Sequence, residues 1–414
     1  GVWRSAGKSD NFHVTLMRLP YDNAEDFKPF NSEGAWRATI IDGGDDFITL
    51  RSTVEGSGSD NVQQTGVKSI EGAGEHPIDF WIDFKGTIPE GATPRCAIVR
   101  VRYHNYTCEH DIFVRQGYAP ITINGNAESD NNPAWTSYNV YRFDANNAPV
   151  YTKSPLEEGS LFRRGNRTAI LASNNDRSGF TFGVEPTGSF NVLEFGSATT
   201  SQKTWSQLAP STDDVTNRFK EWSIAGDHER IATIEDFYTL ESTSIHSNIN
   251  KAYGVLYGDG ATETQKSVKE AFGYDHNEDP TNSKKGMRGC FVFNINNSHN
   301  IFFPIGKSGY GRRKGMTSNG EKVGALRYAQ RTDYYNNDGT GNIQYVPLFY
   351  DLFERPGAIY QCRNRLSSTG SDVKKSSAFD INYFTMGFEG FENGASNNSD
   401  GSDSDACFIR TVKY

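Results

Sequence analysis

The chain has 414 residues, more than one hydrophobic core usually serves, with 41 Gly, 27 Phe, 20 Tyr and a formal charge of −9. This balance sets two β-rich domains with long loops as the expectation, and without a basic block it argues against nucleic acid as a partner. No apolar run reaches the roughly 20 residues of a membrane helix, and the five cysteines (Cys96, Cys108, Cys290, Cys362, Cys407) share no C-x-x-C spacing, which excludes the ordinary zinc patterns.

The chain opens on Gly1-Val2-Trp3 with no export signal and reads as a mature polypeptide whose leader was removed. A first domain is expected over 1–120. Val14-Thr15-Leu16-Met17, Ala38-Thr39-Ile40-Ile41 and Phe47-Ile48-Thr49-Leu50 are short β-prone runs, followed by a polar crossing over 57–74. Ile78, Phe80, Ile82 and Phe84 then alternate with Asp79, Trp81, Asp83 and Lys85, the period of a half-buried strand. Ala97, Val99, Val101 and Tyr103 alternate in the same way with Ile98, Arg100, Arg102 and His104, and the chain returns through Asp111-Ile112-Phe113-Val114-Arg115-Gln116. Short strands with turn punctuation make an all-β sandwich. Cys96 and Cys108 sit at the two ends of one hairpin, as a disulfide or as buried thiols. His104, Cys108 and His110 cluster around its turn, but no fourth ligand follows at a recognisable spacing, so no metal is assigned. Asp42-Gly43-Gly44-Asp45-Asp46 lacks the alternating ligands and closing Glu of an EF-hand and reads as an acidic turn.

Trp36, Phe47-Ile48-Thr49-Leu50, the glycine-rich gap, the strand over 78–84, Arg95 before Ile98-Val99-Arg100-Val101, and closing Val114-Arg115-Gln116 resemble a BACON domain. That family is a small immunoglobulin-like module common in Bacteroidetes surface proteins. The resemblance covers about residues 30 to 117 and implies a spacer.

Proline, glycine, Asn and Asp dominate 118–133, so a linker is placed at 121–134 and proteolysis there is expected to release two folded pieces. The second domain, 135–414, begins with Trp135, Tyr138, Val140, Tyr141 and Phe143. Thr233 is placed as a helix cap, with Glu235 and Asp236 in the first turn and Ile234, Phe237 and Tyr238 on one face. A second helix is expected from Thr262, where Gln265 completes a capping box. Over 289–311, Cys290-Phe291-Val292-Phe293 and Ile301-Phe302-Phe303 flank a run of turn formers and read as a buried hairpin ended by Pro304. The glycine-rich loop after it presents Lys307, Ser308, Tyr310, Arg312 and Arg313.

Arg230-Ile231-Ala232-Thr233-Ile234-Glu235-Asp236-Phe237 resembles the signature that opens the first helix of the Fibrobacter succinogenes major paralogous domain. Phe302-Phe303-Pro304-Ile305-Gly306, Gly324-Ala325-Leu326-Arg327-Tyr328 and the closing Ala406-Cys407-Phe408-Ile409-Arg410-Thr411-Val412 follow in the family's order. The resemblance implies an α+β, C-type-lectin-like fold related to formylglycine-generating enzymes, whose copper-binding cysteine pair has no counterpart here. It also implies that the last strand pairs near the strand beginning at Tyr138. The calcium-dependent sugar motifs E-P-N and Q-P-D are absent from the sequence.

No nucleophile–base pair or H-E-x-x-H stands out, so the reading is a binding protein without a cofactor rather than an enzyme. Sugar recognition needs aromatic faces and groups that pair hydroxyls. The loops supply Tyr310, Arg312 and Arg313; Tyr328, Arg331, Tyr334 and Tyr335; and Tyr350, Asp351, Arg355 and Tyr360. The expected protein is an extracellular or outer-membrane-surface adhesin, an Ig-like stalk presenting a lectin-like head to a glycan or a cell-surface protein, with fimbrial subunits as further partners. The alternatives are a carbohydrate-active or oxidising enzyme and a structural fimbrial subunit; a long unpaired strand edge in the first domain would favour the latter.

Overall fold

The computed structural model describes residues 1–18, 28–41, 44–52, 64–163, 166–172, 187–208, 223–240, 248–265, 286–304, 357–363, 376–382, 386–391 and 406–414. Among these the regular structure is overwhelmingly β-strand, with one short α-helix, Ile234–Tyr238. The chain divides into two compact units, Gly1–Ala127 with Ser247–Phe303, and Glu128–His246 with Pro304–Tyr414. The units are thus discontinuous in sequence, and the apolar hairpin expected in the second domain belongs to the first unit.

The first unit is a β-sandwich. One sheet orders its strands Val2–Arg4, Cys108–Gln116, Arg95–Tyr103, Trp36–Ile41 and Ser69–Gly72; the other orders Phe12–Thr15, Asp79–Phe84, Ile48–Ser52 and Thr65–Val67. Trp36, Ile40, Leu50, Phe80, Ile82, Val99 and Val114 meet in the core between them. The alternation over 78–84 is realised, with Ile78, Phe80, Ile82 and Phe84 buried and Asp79, Trp81 and Asp83 half-buried on the outer face. Along Arg95–Tyr103 the alternation is less informative, because Ile98 is buried as well. A third sheet explains this, ordered Ile249–Leu256, Met287–Asn294 and Asn300–Pro304. Its rings lie against the outer face of the first sheet, with Phe113 at 4.9 Å from Phe291 and 4.5 Å from Phe293, and Trp3 at 6.3 Å from Phe302. A strand covered on both faces loses its polar phase. Gly289 is required at this hairpin, since a Cβ there would stand 2.3 Å from the Phe303 carbonyl oxygen.

Two buried arginines fasten the returning segment. Arg4 donates from Nη1 to the Gly258 carbonyl at 2.7 Å and from Nη2 to the Ala261 carbonyl at 2.7 Å. Arg115 donates to the Asn300 carbonyl at 2.9 Å while its guanidinium lies 4.5 Å from the Trp3 ring centre, and the Trp3 indole donates to Asn300 Oδ1 at 2.8 Å. The same segment closes a strand edge in each sandwich sheet. Tyr257 exchanges backbone bonds with Gly1 and Trp3, and the Thr262 and Thr264 backbones bond both sides of His13. Thr262 to Gln265 is therefore extended chain beside Phe12–Thr15, not the start of a helix. The capping-box spacing is present there, but edge pairing supplies the backbone partners that a helix would have supplied.

The stretch read as a linker is partly core. Ile121 and Ile123 are buried, and the Thr122 and Ile123 carbonyls accept from His299 and Asn297. The five cysteines are free. Cys96 and Cys108 cannot bridge, because Cys108 pairs with Tyr103 and Cys96 with Arg115. That places them about 23 Å apart along the ladder at ~3.3 Å per residue.

In the second unit Ala134–Phe143 lies between Pro149–Tyr151 and Arg410–Lys413, with Glu229–Ile231 beyond. The last strand pairs as expected, Trp135 opposite Val412 and Asn139 opposite Arg410. A five-stranded sheet runs Thr200–Thr204, Ser189–Leu193, Ala169–Leu171, Ser160–Arg163 and Ala406–Cys407. The helix cap at Thr233 also forms. Its hydroxyl accepts from Asp236 N at 3.1 Å, and the Asp236 carboxylate accepts from Thr233 N at 2.8 Å. That carboxylate takes the Arg230 guanidinium as well, at 2.9 Å, so the Arg-x-x-Thr-x-x-Asp spacing is a buried cap and ion pair in one. Phe237 is buried against Trp135, whereas Tyr238 turns outward and is 43% exposed.

A fragment of residues 1–127 should lack cooperative thermal melting, because it has lost the segment that covers Trp3 and Phe113 and occupies two strand edges. Melting of that fragment at the temperature of the first unit in the intact chain would contradict this assignment.

Candidate recognition surface

The hairpin expected to carry the binding loops is preorganised by its own asparagines. Ser298 takes a positive φ of 60° and donates from its backbone to the Asn294 carbonyl at 2.9 Å. Asn294 Oδ1 accepts from Asn296 N, and Asn297 Oδ1 from His299 N, each at 2.9 Å. These side chains satisfy backbone groups the turn would leave unpaired. His299 Nδ1 donates to the Thr122 carbonyl at 2.6 Å. Burial pushes the His299 imidazole below its usual value and Arg115 adds to this, against the opposing effect of the Thr122 bond.

The loop residues that follow, Tyr310, Arg312, Arg313, Tyr328, Arg331, Tyr334, Tyr335, Tyr350, Asp351 and Arg355, lie outside the described residues, as do Lys307 and Ser308. Tyr360, grouped with them on sequence, belongs to the core. It lies on the strand Gly357–Gln361 and is fully buried; its hydroxyl accepts from Asn139 Nδ2 at 3.0 Å. Burial pushes its phenol up to about 12. Arg410 beside it donates to Asn139 Oδ1 at 2.7 Å and to the Thr136 carbonyl at 2.9 Å. Tyr360 is a structural residue.

Two aromatic features on the first unit were not singled out on sequence. On the outer face of the four-stranded sheet, Trp81 has His13 stacked at 4.6 Å and 9°, and the Arg51 guanidinium 4.7 Å from its ring centre. His13 and Arg51 sit opposite Trp81 on the two flanking strands, so both faces of the indole are occupied. Asp79 holds His13, and Asp83 holds Arg51 with bonds of 2.9 and 3.1 Å. Such a ladder stabilises the sheet and leaves no face for a sugar.

The second feature is the tip of the Arg95–Tyr103 and Cys108–Gln116 hairpin. His104, Asn105 and Tyr106 all have positive φ, at 52°, 54° and 66°. Each such residue costs about 1–2 kcal/mol outside glycine, and the neighbouring 32–35 loop holds the conformation. Ser32 Oγ accepts from His104 N at 2.7 Å, Asn105 Oδ1 accepts from Ala35 N at 3.0 Å, and His104 Nδ1 accepts from Glu33 N at 2.7 Å. The tip projects Tyr106, 43% exposed, with Arg37 lying 5.3 Å from its ring. The only sequence signal was the Asn105-Tyr106-Thr107 turn, which does not announce three left-handed residues in succession.

Among the described residues no group of three His, Cys, Asp or Glu side chains is placed to hold a metal ion, and no helix is long and apolar enough to cross a membrane. Neither a protein-family model nor a curated protein sequence matches this chain.

Because the folded His299 value lies below the unfolded one, the stability tied to it is present above about pH 6.5 and is lost as pH falls from there through the lower folded value. Melting temperatures between pH 7.5 and 5.5 should therefore fall less steeply in His299→Gln than in the parent chain. Identical slopes would show that burial of the ring does not disfavour its charged form.

Proposed function

We infer that this is a cell-surface recognition protein, a β-sandwich of immunoglobulin type with a lectin-like second unit that binds a glycan or a cell-surface protein outside the cell or on an outer membrane. The observation that carries this reading is the pairing of Arg410–Lys413 with Ala134–Phe143. It brings the two ends of the second unit into one sheet, which supports the C-type-lectin-like resemblance, and the residues that resemble that family's helix-opening signature, Arg230, Thr233 and Asp236, form a helix cap. The sandwich core of the first unit supports the resemblance to a BACON spacer.

The candidate ligand residues in this reading are Tyr310, Arg312 and Arg313 after Phe303, together with Tyr328, Arg331, Tyr350, Asp351 and Arg355, all outside the described residues. Arginine pairs a carboxylate through two hydrogen bonds, and tyrosine adds rigid contact area, which suits an acidic glycan. The rival of a structural fimbrial subunit rested on a long unpaired edge in the first domain. Two of the four sandwich edges are occupied by Tyr257 and by Thr262 to Thr264, and the other two strands, Thr65–Val67 and Ser69–Gly72, are short.

On a glycan array and in cell attachment, changing Tyr310, Arg312 and Arg313 together to alanine should abolish most binding by the intact chain. Stability should shift by no more than roughly 0.5 kcal/mol, as for exposed positions. Unchanged binding by a normally folded triple variant would refute the assignment of this face.

A further inference from the structure

The tip of the Arg95–Tyr103 and Cys108–Gln116 hairpin carries three successive left-handed residues, His104, Asn105 and Tyr106, and such strain persists only where the surroundings over-determine it. Here the surroundings are the 32–35 loop. Four hydrogen bonds join the two: His104 N to Ser32 Oγ, Asn105 N to the Ala35 carbonyl, Ala35 N to Asn105 Oδ1, and Glu33 N to His104 Nδ1. Two glycines allow the approach, since a Cβ on Gly34 would overlap the Asn105 side chain and one on Gly74 would overlap the Ser32 carbonyl. Three of the four bonds use groups that do not titrate. The fourth does, and its sense is fixed. A backbone N–H only donates, and an imidazole nitrogen accepts only while it carries no proton. The closed tip therefore requires the neutral ring with its proton on Nε2.

We propose that His104 is a pH-sensitive clasp, which closes the hairpin tip onto the 32–35 loop while its imidazole is neutral and releases that loop, and with it the exposed Tyr106, when Nδ1 is protonated. The two nitrogens stand 2.7 Å apart, so protonation does more than remove an acceptor: it sets two N–H groups against each other. Imidazoles exchange this proton between about pH 5 and 8. The ring lies 4.9 Å from the Tyr103 ring and 6.0 Å from that of Phe30. Titratable groups around it are Glu33 on the loop, Tyr103 and Cys108 on the hairpin, Arg37 on the next strand and Lys28 beside Phe30, with Glu75 and His76 on the loop behind Ser32. Arg37 is engaged by Glu71. Among the described residues no carboxylate pairs with the His104 ring, so no ion pair offsets the lost bond.

Hydrogen exchange of the full chain tests this, read on peptides over 32–36 and 103–107 between about pH 8 and 5 and divided by the unstructured rate at each pH. Protection of the Glu33 amide should fall about tenfold across that range in the parent, the equivalent of one net hydrogen bond. Protection at His104 and Asn105 should fall with it. His104→Asn keeps an acceptor close to the place of Nδ1, does not titrate and tolerates the left-handed backbone, so its protection should not change with pH. His104→Ala should be as weakly protected at the upper pH as the parent is at the lower. The comparison of the parent with His104→Asn decides the matter even where His104→Ala fails to fold. Equal pH dependence in those two chains, or protection in the parent that does not change with pH, would overturn the proposal.

Discussion

A guanidinium removed from water must find acceptors for its N–H groups, and in this protein the acceptors are largely main-chain carbonyls that lie far apart in sequence. Arg4 bonds the carbonyls of Asp10, Trp3, Gly258 and Ala261 while fully buried. Burial lowers its affinity for the proton, opposed by Asp259 and more weakly by Tyr118 and Asp10. Those carbonyls take up the N–H groups of the buried charge, and Asp259 offsets part of its desolvation. The constraint runs both ways: the guanidinium fixes the path of 258–261, and that path places Tyr257 and Thr262 to Thr264 along the sandwich edges. Arg115 does the same for the hairpin through Asn300, and in the second unit Arg410 ties Asn139 and Thr136 to the last strand. Removing any one of these side chains would take a donor from buried acceptors: carbonyls for Arg4 and Arg115, and the Thr136 carbonyl with the Asn139 amide oxygen for Arg410.

This dependence accounts for what the sequence did and did not reveal. Where one sheet face meets the core and the other meets water, hydrophobic period is enough, and 78–84 reads correctly. The Thr233 cap and the 289–303 hairpin are also local, since their partners lie within a few residues. The joining of Ser247–Phe303 to the first unit is not local. It rests on bonds between residues more than 180 positions apart, such as Arg115 to Asn300 and Arg4 to Gly258. Isolated arginines in strands look like exposed residues, and the sequence offers no sign that they are buried staples. Ile98 was placed on the outer face for the same reason, because a third layer is invisible to a two-state pattern. The Thr262 spacing misled for a complementary reason: a helix cap and an edge strand both satisfy backbone donors, and the tertiary partner decided.

The recognition residues were legible only as composition. Tyrosine and arginine between glycines describe a loop suited to binding, but Tyr360 carried the same signal and is fully buried. Its neighbours Ala358 and Gln361 are buried with it, which places it on an internal strand rather than a rim. Conversely, Tyr106 is held outward by a left-handed turn whose cost is met by bonds to Ser32, Glu33 and Ala35. Residue type alone separates neither case; the backbone path does.

The Ser247–Phe303 segment is an integral part of the first unit's fold rather than an appendage. Hydrogen exchange of the intact chain tests it most directly, through the amides of Trp3 and His13, which donate to Tyr257 and Thr262 across the two edges. With the segment integral to the fold, both exchange as slowly as Val99 and Val101 in the sheet interior, because they open only with the whole unit. Exchange of Trp3 and His13 orders of magnitude faster than those interior amides would contradict it, since it would mean that the segment detaches while the sandwich remains folded.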